Sequence, residues 1–263
     1  NLAFPQAVER LKLQPQLQSC DWTAKPKQIS RLVRSEKDYA ALSDPRWQKS
    51  AATFCTEASN TIWSNQGQIA LKYLRARGLT DQSIRDAQLG YHPQSMSQKW
   101  GDVDVWLYSG IVIPWLIAGQ YWKVNIRRRP SELRNNDKRY QQAKGGANAL
   151  YRADAVYPGC TVIMTEGEFD TLCICSCGQE LAKLVPVATG STGGSQLLSW
   201  VATVAKADRI LIAFDADDAG DQAAQWWLNI FGDKASRLRP LLHDVSDMVQ
   251  ADKSLVDWIK ATA

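Results

Sequence analysis

With 263 residues, 45% apolar and 22% charged, the chain has enough material for one large or two modest buried cores and is expected to be globular. Its longest apolar run, "SGIVIPWLIAG", is about half of what a bilayer-spanning helix needs and contains Pro114, and no basic-then-apolar leader opens the chain. A membrane partner is therefore not expected, and a cytoplasmic location is.

The net charge of +4 hides an asymmetry. Lys123 to Arg152 holds nine basic residues against two acidic, whereas Cys160 to Gly232 holds three basic against nine acidic. Cations suited to a phosphate backbone, followed by carboxylates suited to divalent ions, are what a metal-dependent enzyme acting on nucleic acid requires. The six cysteines (Cys20, Cys55, Cys160, Cys173, Cys175, Cys177) form no C-x-x-C pair, and His92 and His243 are the only histidines, so no zinc site is expected within this chain. "CICSC" lies in an apolar helical stretch and reads as small reduced hydrophobes, which fits a reducing cytosol.

In chain order, residues 1–58 are Gln- and Lys-rich with scattered Pro and read as short helices and connections. Residues 59–158 open with "GQIALKYLRARGLTDQSIRDAQLGYHP", a helix stopped by Gly78 and a second capped by Thr80, with Pro93 closing the pair. "SGIVIPWLIAG" and "QYWKVNIRRR" then predict a hairpin about a turn at Gly119. Along that second strand Arg127 and Arg129 share a face and Arg128 does not. Arg127, Arg129, Lys138, Arg139, Tyr140 and Lys144 are the candidates for contact with a nucleic-acid backbone. Of the eleven Trp, most are assigned to cores, and Trp115 and Trp122 are the two that could stack a base.

From residue 159 the texture changes. "TVIM", "LVPVATG" and "RILIAF" read as buried parallel strands alternating with helices, an α/β sheet whose ligands belong at the carboxyl ends of the strands. Glu166 ends the first strand in "VIMTEGEFD", Gly167 allows close approach, and Asp170 lies one helical turn on. Glu168 reads as a solvated acid at a helix start. Asp215 and Asp217 flank Ala216 where the chain leaves the sheet in "FDADDAGDQAA", with Asp218 expected to cap the next helix. "LLHDVSDMV" adds Asp244 and Asp247 after another strand. So many carboxylates at one sheet edge call for a counter-charge, and a hard divalent cation, Mg²⁺ or Mn²⁺, supplies it. The glycine-rich "ATGSTGGSQ" offers Gly190, Ser191, Thr192 and Gly193 as a weak phosphate cradle at the start of a helix.

"EGEFD" after one strand and "FDADDAG" after another resemble the Toprim domain of primases, topoisomerases and certain nucleases. The resemblance to bacterial and phage-type DNA primase cores covers most of the chain. "YLRARGLTDQSIRDAQLGYHP" looks like that family's helical pair, "GIVIPW" with "GQYWKVNIRR" like its strand pair, "KRYQQAKGGANALYRAD" like its basic segment, and "DVSDMV" like its third acidic motif. It implies an N-terminal α+β subdomain, residues 59–158, followed by a Toprim-type parallel sheet flanked by helices, residues 159–263. It also implies that residues 1–58 are a linker or helical remnant after an upstream zinc module, since "LAFPQAVERL" is similar to that family's join. Its activity would be nucleotidyl transfer making short RNA primers on single-stranded DNA from ribonucleoside triphosphates, with two or more Mg²⁺ or Mn²⁺ ions and a replicative helicase as partner. Asp215 and Asp217 would hold metal together with Asp244 or Asp247, Glu166 would be a further ligand or proton acceptor, and Asp170 would position the site. Two departures stand out: the third motif reads D-x-x-D, as in some phage and mobile-element primases, and Asp221 occupies a position often basic in the family. A Toprim nuclease would use the same acids to hydrolyse a phosphodiester, and a non-catalytic nucleic-acid-binding module of a replication complex is a third reading, against which the intact acid set argues.

Overall fold

A computed structural model of the chain describes residues 42–135, 137–177, 181 and 183–261. Cys20 and most of the stretch expected as a linker lie outside the described residues. The described residues fall into two units, one within Ser35–Asn148 and one within Ala149–Ala263. They realise the expected class, an α+β unit followed by a parallel sheet flanked by helices.

The first unit starts with helix α1 (Pro45–Ile62), which crosses the division expected at residue 58. Asp44 caps it by accepting from the Arg46 N–H at 2.9 Å, and Pro45 sits in the first turn, where no N–H is needed. Trp47, Ala51, Phe54, Cys55, Ala58 and Ile62 recur at helical spacing and are buried, the first five in one cluster with Trp100, Val105, Leu107, Val112, Val124 and Ile126. Helices α2 (Gln68–Ala76) and α3 (Asp81–Asp86) follow the expected punctuation. Gly78 takes φ +86° after α2, and the Thr80 side chain accepts from the Ser83 N–H.

Six strands complete this unit: β1 (Gly90–His92), β2 (Met96–Trp100), β3 (Val103–Leu107), β4 (Gly110–Ile117), β5 (Gln120–Arg128) and β6 (Tyr140–Gln142). β2 and β3 pair as a hairpin, and the remaining four form an antiparallel sheet in the order β1-β4-β5-β6. Ala118 and Gly119, at φ +51° and +78°, make the tight turn between β4 and β5, the conformation that follows the right-handed twist of paired strands. Gly90 is fixed by packing, because a Cβ there would come within 2.5 Å of the Ala58 backbone.

The second unit is built on β7 (Thr161–Thr165), β8 (Leu184–Ala188), β9 (Arg209–Ile212) and β10 (Ala235–Arg237), all parallel in the order β10-β9-β7-β8. Val162, Ile163 and Met164 are fully buried, as continuous apolar strands covered on both faces must be. Pro186 is tolerated because β8 is an edge strand of this sheet. The connecting helices are α4 (Glu168–Cys175), α5 (Leu198–Val204) and α6 (Asp218–Phe231), and α7 (Val245–Gln250) and α8 (Leu255–Lys260) close the chain. Trp227 is buried and stacks on Phe231 with ring centroids 6.0 Å apart, while Trp226 stays half-exposed, as a helix with one inward face demands. No helix of the described residues is long and apolar enough to cross a membrane.

Candidate active site

β7 and β9 are neighbours in register, Met164 opposite Ile212, so the residues that follow them emerge side by side at the carboxyl edge of the sheet. Glu166 and Asp215 meet there, and the Asp215 N–H donates to Glu166 Oε1 at 3.3 Å. Gly220, in the first turn of α6, lets that helix close on the loop, since a Cβ there would lie 2.2 Å from the Asp215 carbonyl oxygen. Burial, followed by the neighbouring Asp215 carboxylate, raises the Glu166 carboxyl to about 7. Asp215 is pushed up to about 6, by burial and then by Asp244, with His243 pulling the other way.

Asp217 caps α6 and accepts from the Gly220 N–H at 2.7 Å through Oδ1, so the cap expected at Asp218 falls one residue earlier. Asp218 is itself the first helical residue, where its side chain cannot reach back over the turn it begins. Asp244 caps α7 in the same manner, its Oδ1 accepting from the Asp247 N–H at 2.6 Å. Each cap thus uses one carboxylate oxygen on its helix and keeps the other, Oδ2, near His243. Asp217 Oδ2 lies 3.8 Å from His243 Nε2, and Asp244 Oδ2 lies 4.0 Å from His243 Nδ1. The Ala216 N–H donates to the His243 carbonyl at 2.7 Å and fastens the two motifs together.

Among the described residues, two ligand sets of this kind have donor atoms within 4.8 Å of one another: Asp215, Asp217 and His243, and His243, Asp244 and Asp247. Carboxylate oxygens with one imidazole nitrogen are a donor set that fits a divalent cation. Sequence reasoning set His243 aside. Its signal was its place immediately before Asp244.

Asp170 is buried, and its Oδ1 accepts from the Ser246 N–H at 3.0 Å, which ties α4 to the first turn of α7. Among the described residues it belongs to neither ligand set, and its bond reaches the residue between Val245 and Asp247. A Cβ at residue 167 would lie 2.7 Å from Asp170 Oδ2, which accounts for Gly167. Glu168 corrects the expectation of a solvated acid, for it is only 4% exposed. The Tyr151 phenol, raised chiefly by its own burial, is raised further by the Glu168 charge. The turn entering α4 directs this side chain inward.

Arg237 and Arg239 escaped the sequence reading. The Arg237 guanidinium donates to the carbonyls of Ile212, Phe214 and Asp215 at 2.9 Å each and to Asp221 Oδ1 at 2.8 Å. Arg239 donates to the Ala216 carbonyl at 2.8 Å and pairs with Asp221 at 3.3 Å. Asp221 anchors two arginines that brace the loop presenting Asp215 and Asp217.

The glycine-rich loop is not the start of a helix. Gly190 donates its N–H to the Glu166 carbonyl at 2.8 Å and Gly194 donates to Ser191, while α5 begins only at Leu198. The amide of Gly190 is therefore committed within the protein, and Ser191, Thr192 and Gly193 form the outer part of the turn.

In the other unit, Lys138, Arg139 and Lys144 are exposed, and the Lys144 carbonyl accepts from Trp47 Nε1 at 3.1 Å. Arg127 is half-buried, donates to the Tyr140 hydroxyl at 2.6 Å, and lies over the Tyr73 and Tyr140 rings at 5.2 Å from each centroid. Arg128 turns to the Val124–Ile126 side, as alternation requires, where it pairs with Asp137 at 3.1 Å and covers Tyr108. Arg129 faces Glu132 at 3.9 Å. Trp115 is fully buried beneath Lys123 Nζ, 3.6 Å from its centroid, and so presents no face for a base.

Residues 163–249 match the family model described as Toprim-like. No curated protein matches the chain in sequence. Among solved structures, the E. coli primase catalytic core superposes with a TM-score of 0.60 at 16% identity, covering 81% of this chain and 78% of that one. The primase fragment of the bacteriophage T7 primase-helicase protein gives 0.54 at 15% identity, covering 71% and 72%. A primase catalytic domain bound to single-stranded DNA gives 0.59 at 16%, covering 82% and 79%. The chain thus carries a Toprim-like domain. Its fold is that of the bacterial and phage-type primase catalytic core.

Proposed function

We propose that this chain is the polymerase core of a DNA primase, joining ribonucleotides into short RNA on a single-stranded DNA template. The observation that carries the reading is the gathering of Glu166, Asp215, Asp217 and Asp244 at the carboxyl edge of one parallel sheet, with Glu166 and Asp215 held above the usual carboxylate range. Asp215, Asp217, Asp244 and Asp247 would hold Mg²⁺ or Mn²⁺. Such ions, when bound, neutralise nucleotide phosphates and lower the cost of ionising a primer 3′-hydroxyl.

The residues themselves supply the rest. Glu166 has one oxygen fixed by the Asp215 N–H, and its Oε2 can take up a proton near neutral pH. Arg237 and Asp221 keep the Asp215 carbonyl turned into the protein, which fixes the direction in which the Asp215 and Asp217 side chains leave the loop. Arg127, Arg129, Lys138, Arg139, Tyr140 and Lys144 would hold template and product through phosphate contacts and stacking, and Ser191, Thr192 and Gly193 a nucleotide phosphate. In this reading residues 59–158 are the basic subdomain and 159–263 the catalytic one. The protein works in the cytoplasm with a replicative helicase, in a phage or other mobile element by the form of its third acidic motif.

The test is to incubate the chain with single-stranded DNA, labelled ribonucleotides and Mn²⁺. Short RNA should appear and be lost in Asp215→Ala and in Asp217→Ala. Shortened template in place of RNA would replace this reading with phosphodiester hydrolysis by the same acids.

A further inference from the structure

His243 belongs to both ligand sets, and its two ring nitrogens lie near different carboxylates. Separations of 3.8 Å to Asp217 and 4.0 Å to Asp244 are too long for hydrogen bonds. They do suit donors on a common ion, since two atoms each about 2.1 Å from a metal can stand up to about 4.2 Å apart. The backbone holds the residue there, through the His243 carbonyl bonded to the Ala216 N–H and the α7 cap that begins at the next residue. The imidazole is 58% exposed, so an ion in solution can reach it.

We propose that His243 is a direct ligand of the divalent cation and sets its identity, so that the site prefers a borderline ion such as Co²⁺ over Mg²⁺. The inference rests on the acidic site being a cation site, as the primase reading holds. An all-oxygen site suits Mg²⁺, which binds nitrogen poorly and keeps its water, whereas an imidazole nitrogen adds to the affinity of first-row transition ions. Nε2 of His243 faces Asp217 and Nδ1 faces Asp244, so the tautomer it adopts decides which of these two carboxylates it joins on an ion.

The competing role for a histidine among carboxylates is that of a counter-charge, and the two roles have opposite consequences. Co²⁺ and Mg²⁺ titrations of the intact chain, followed by calorimetry, compare wild type with His243→Asn and His243→Lys. Co²⁺ affinity should fall about 10–100-fold in both variants, the range seen when even a supporting partner of a metal is removed. Mg²⁺ affinity should stay nearly level in His243→Asn. In the Co²⁺-loaded wild type, a paramagnetically shifted exchangeable imidazole N–H resonance should be present and should vanish in the variants, whose thermal melting shows whether they are folded. Tighter binding of both ions by His243→Asn would overturn the proposal in favour of a counter-charge, as would equal loss of both ions, or wild-type Co²⁺ binding without a shifted imidazole signal. Wild type that binds neither ion would instead remove the cation site itself, and the primase reading with it, whereas RNA synthesis with no His243 effect would remove this proposal alone.

Discussion

The acidic edge of the second unit and the basic strip of the first carry opposite charge, and they are built in opposite ways. Glu166, Asp215, Asp217 and Asp244 leave strand ends or helix caps, and each is tied down by a hydrogen bond from a backbone N–H or through the neighbouring Ala216–His243 pair. Lys138, Arg139 and Lys144 sit on exposed connections, and the arginines nearby rest on tyrosine rings or pair with acids. Carboxylates that must share an ion have to be fixed to fractions of an ångström, because their mutual repulsion would otherwise open the site. Cations that follow a flexible, uniformly charged backbone gain by reach and number and lose little by mobility.

If that contrast is right, substitutions on the acidic side act almost all-or-none and those on the basic side act by degrees. The largest effect belongs to Asp217→Ala, which removes both a proposed ligand and the α6 cap. RNA synthesis should fall by about 10²–10³-fold or more, the cost of losing one preorganised charge-stabilising group, as read from initial rates of primer formation. Next is Arg237→Ala. It leaves the carbonyls of Ile212, Phe214 and Asp215 and the Asp221 carboxylate without their common donor, and should lower stability by roughly 2–3 kcal/mol, since hydrogen bonds to charged groups are the strong ones. Urea unfolding measures this, and cation affinity should drop with it. Retention of wild-type affinity would mean that the loop holds its shape without the brace.

The pH dependence of the metal-free chain separates the two regions further. Glu166 and Asp215 have folded values of about 7 and about 6 against ordinary values of 4.5 and 3.8. A raised folded value means that the native state binds the proton more tightly than the unfolded chain does. The stability so gained is complete below about pH 4 and is lost as pH rises towards 7. In EDTA, wild type should therefore melt below Asp215→Asn at pH 8, and the gap should close at pH 4. Adding Mn²⁺ at pH 8 should raise the wild-type melting temperature.

The parallel sheet, the hairpin, the Thr80 cap and the acid motifs were legible in the sequence because each depends on local signals: β-branched runs, a small residue at a turn, a Thr before a helix. Gly78, Thr80, Gly119 and the spacing of "EGEFD" and "FDADDAG" are of this kind. Contacts set by tertiary packing were not legible. Nothing near Glu168 says that its side chain turns inward near Tyr151, and nothing near Asp221 says that Arg237, a full helix later, arrives on the adjacent strand to meet it. The two arginines at alternate positions in "SRLR" were the available hint, since alternate strand residues share a face. His243 was passed over for a different reason: a search for zinc spacing in the sequence cannot see a lone imidazole joining carboxylates from another strand end.

Glu168 marks the boundary between a charge used for function and one used for packing. Glu168→Ala should cost about 1–3 kcal/mol of stability, the penalty for disturbing a buried polar group, and should leave cation affinity unchanged. Calorimetric melting with a parallel Mn²⁺ titration checks both halves. A change in Mn²⁺ affinity at unchanged stability would make this acid part of the site.

The smallest effect is expected in the strip, and its form matters more than its size. Removing one cation that neutralises a phosphate of a single strand should reduce the slope of log affinity against log salt by ~0.7. If both arginines touch phosphate, Arg127→Ala with Arg129→Ala should flatten the slope by ~1.4, twice that amount, measured by fluorescence anisotropy on a labelled single strand. Arg127, however, already donates to the Tyr140 hydroxyl and lies over two tyrosine rings. A guanidinium so placed can serve as a platform for bases, and Tyr140→Leu would then weaken binding without touching the slope, because stacking releases no counterions. Equal slopes in wild type and the double variant would move the backbone contacts to Lys138, Arg139 and Lys144, and Lys138→Ala with Arg139→Ala should in that case show the flattening. The slope thus separates a strip that grips phosphate along its strand from one that grips it only along its connections.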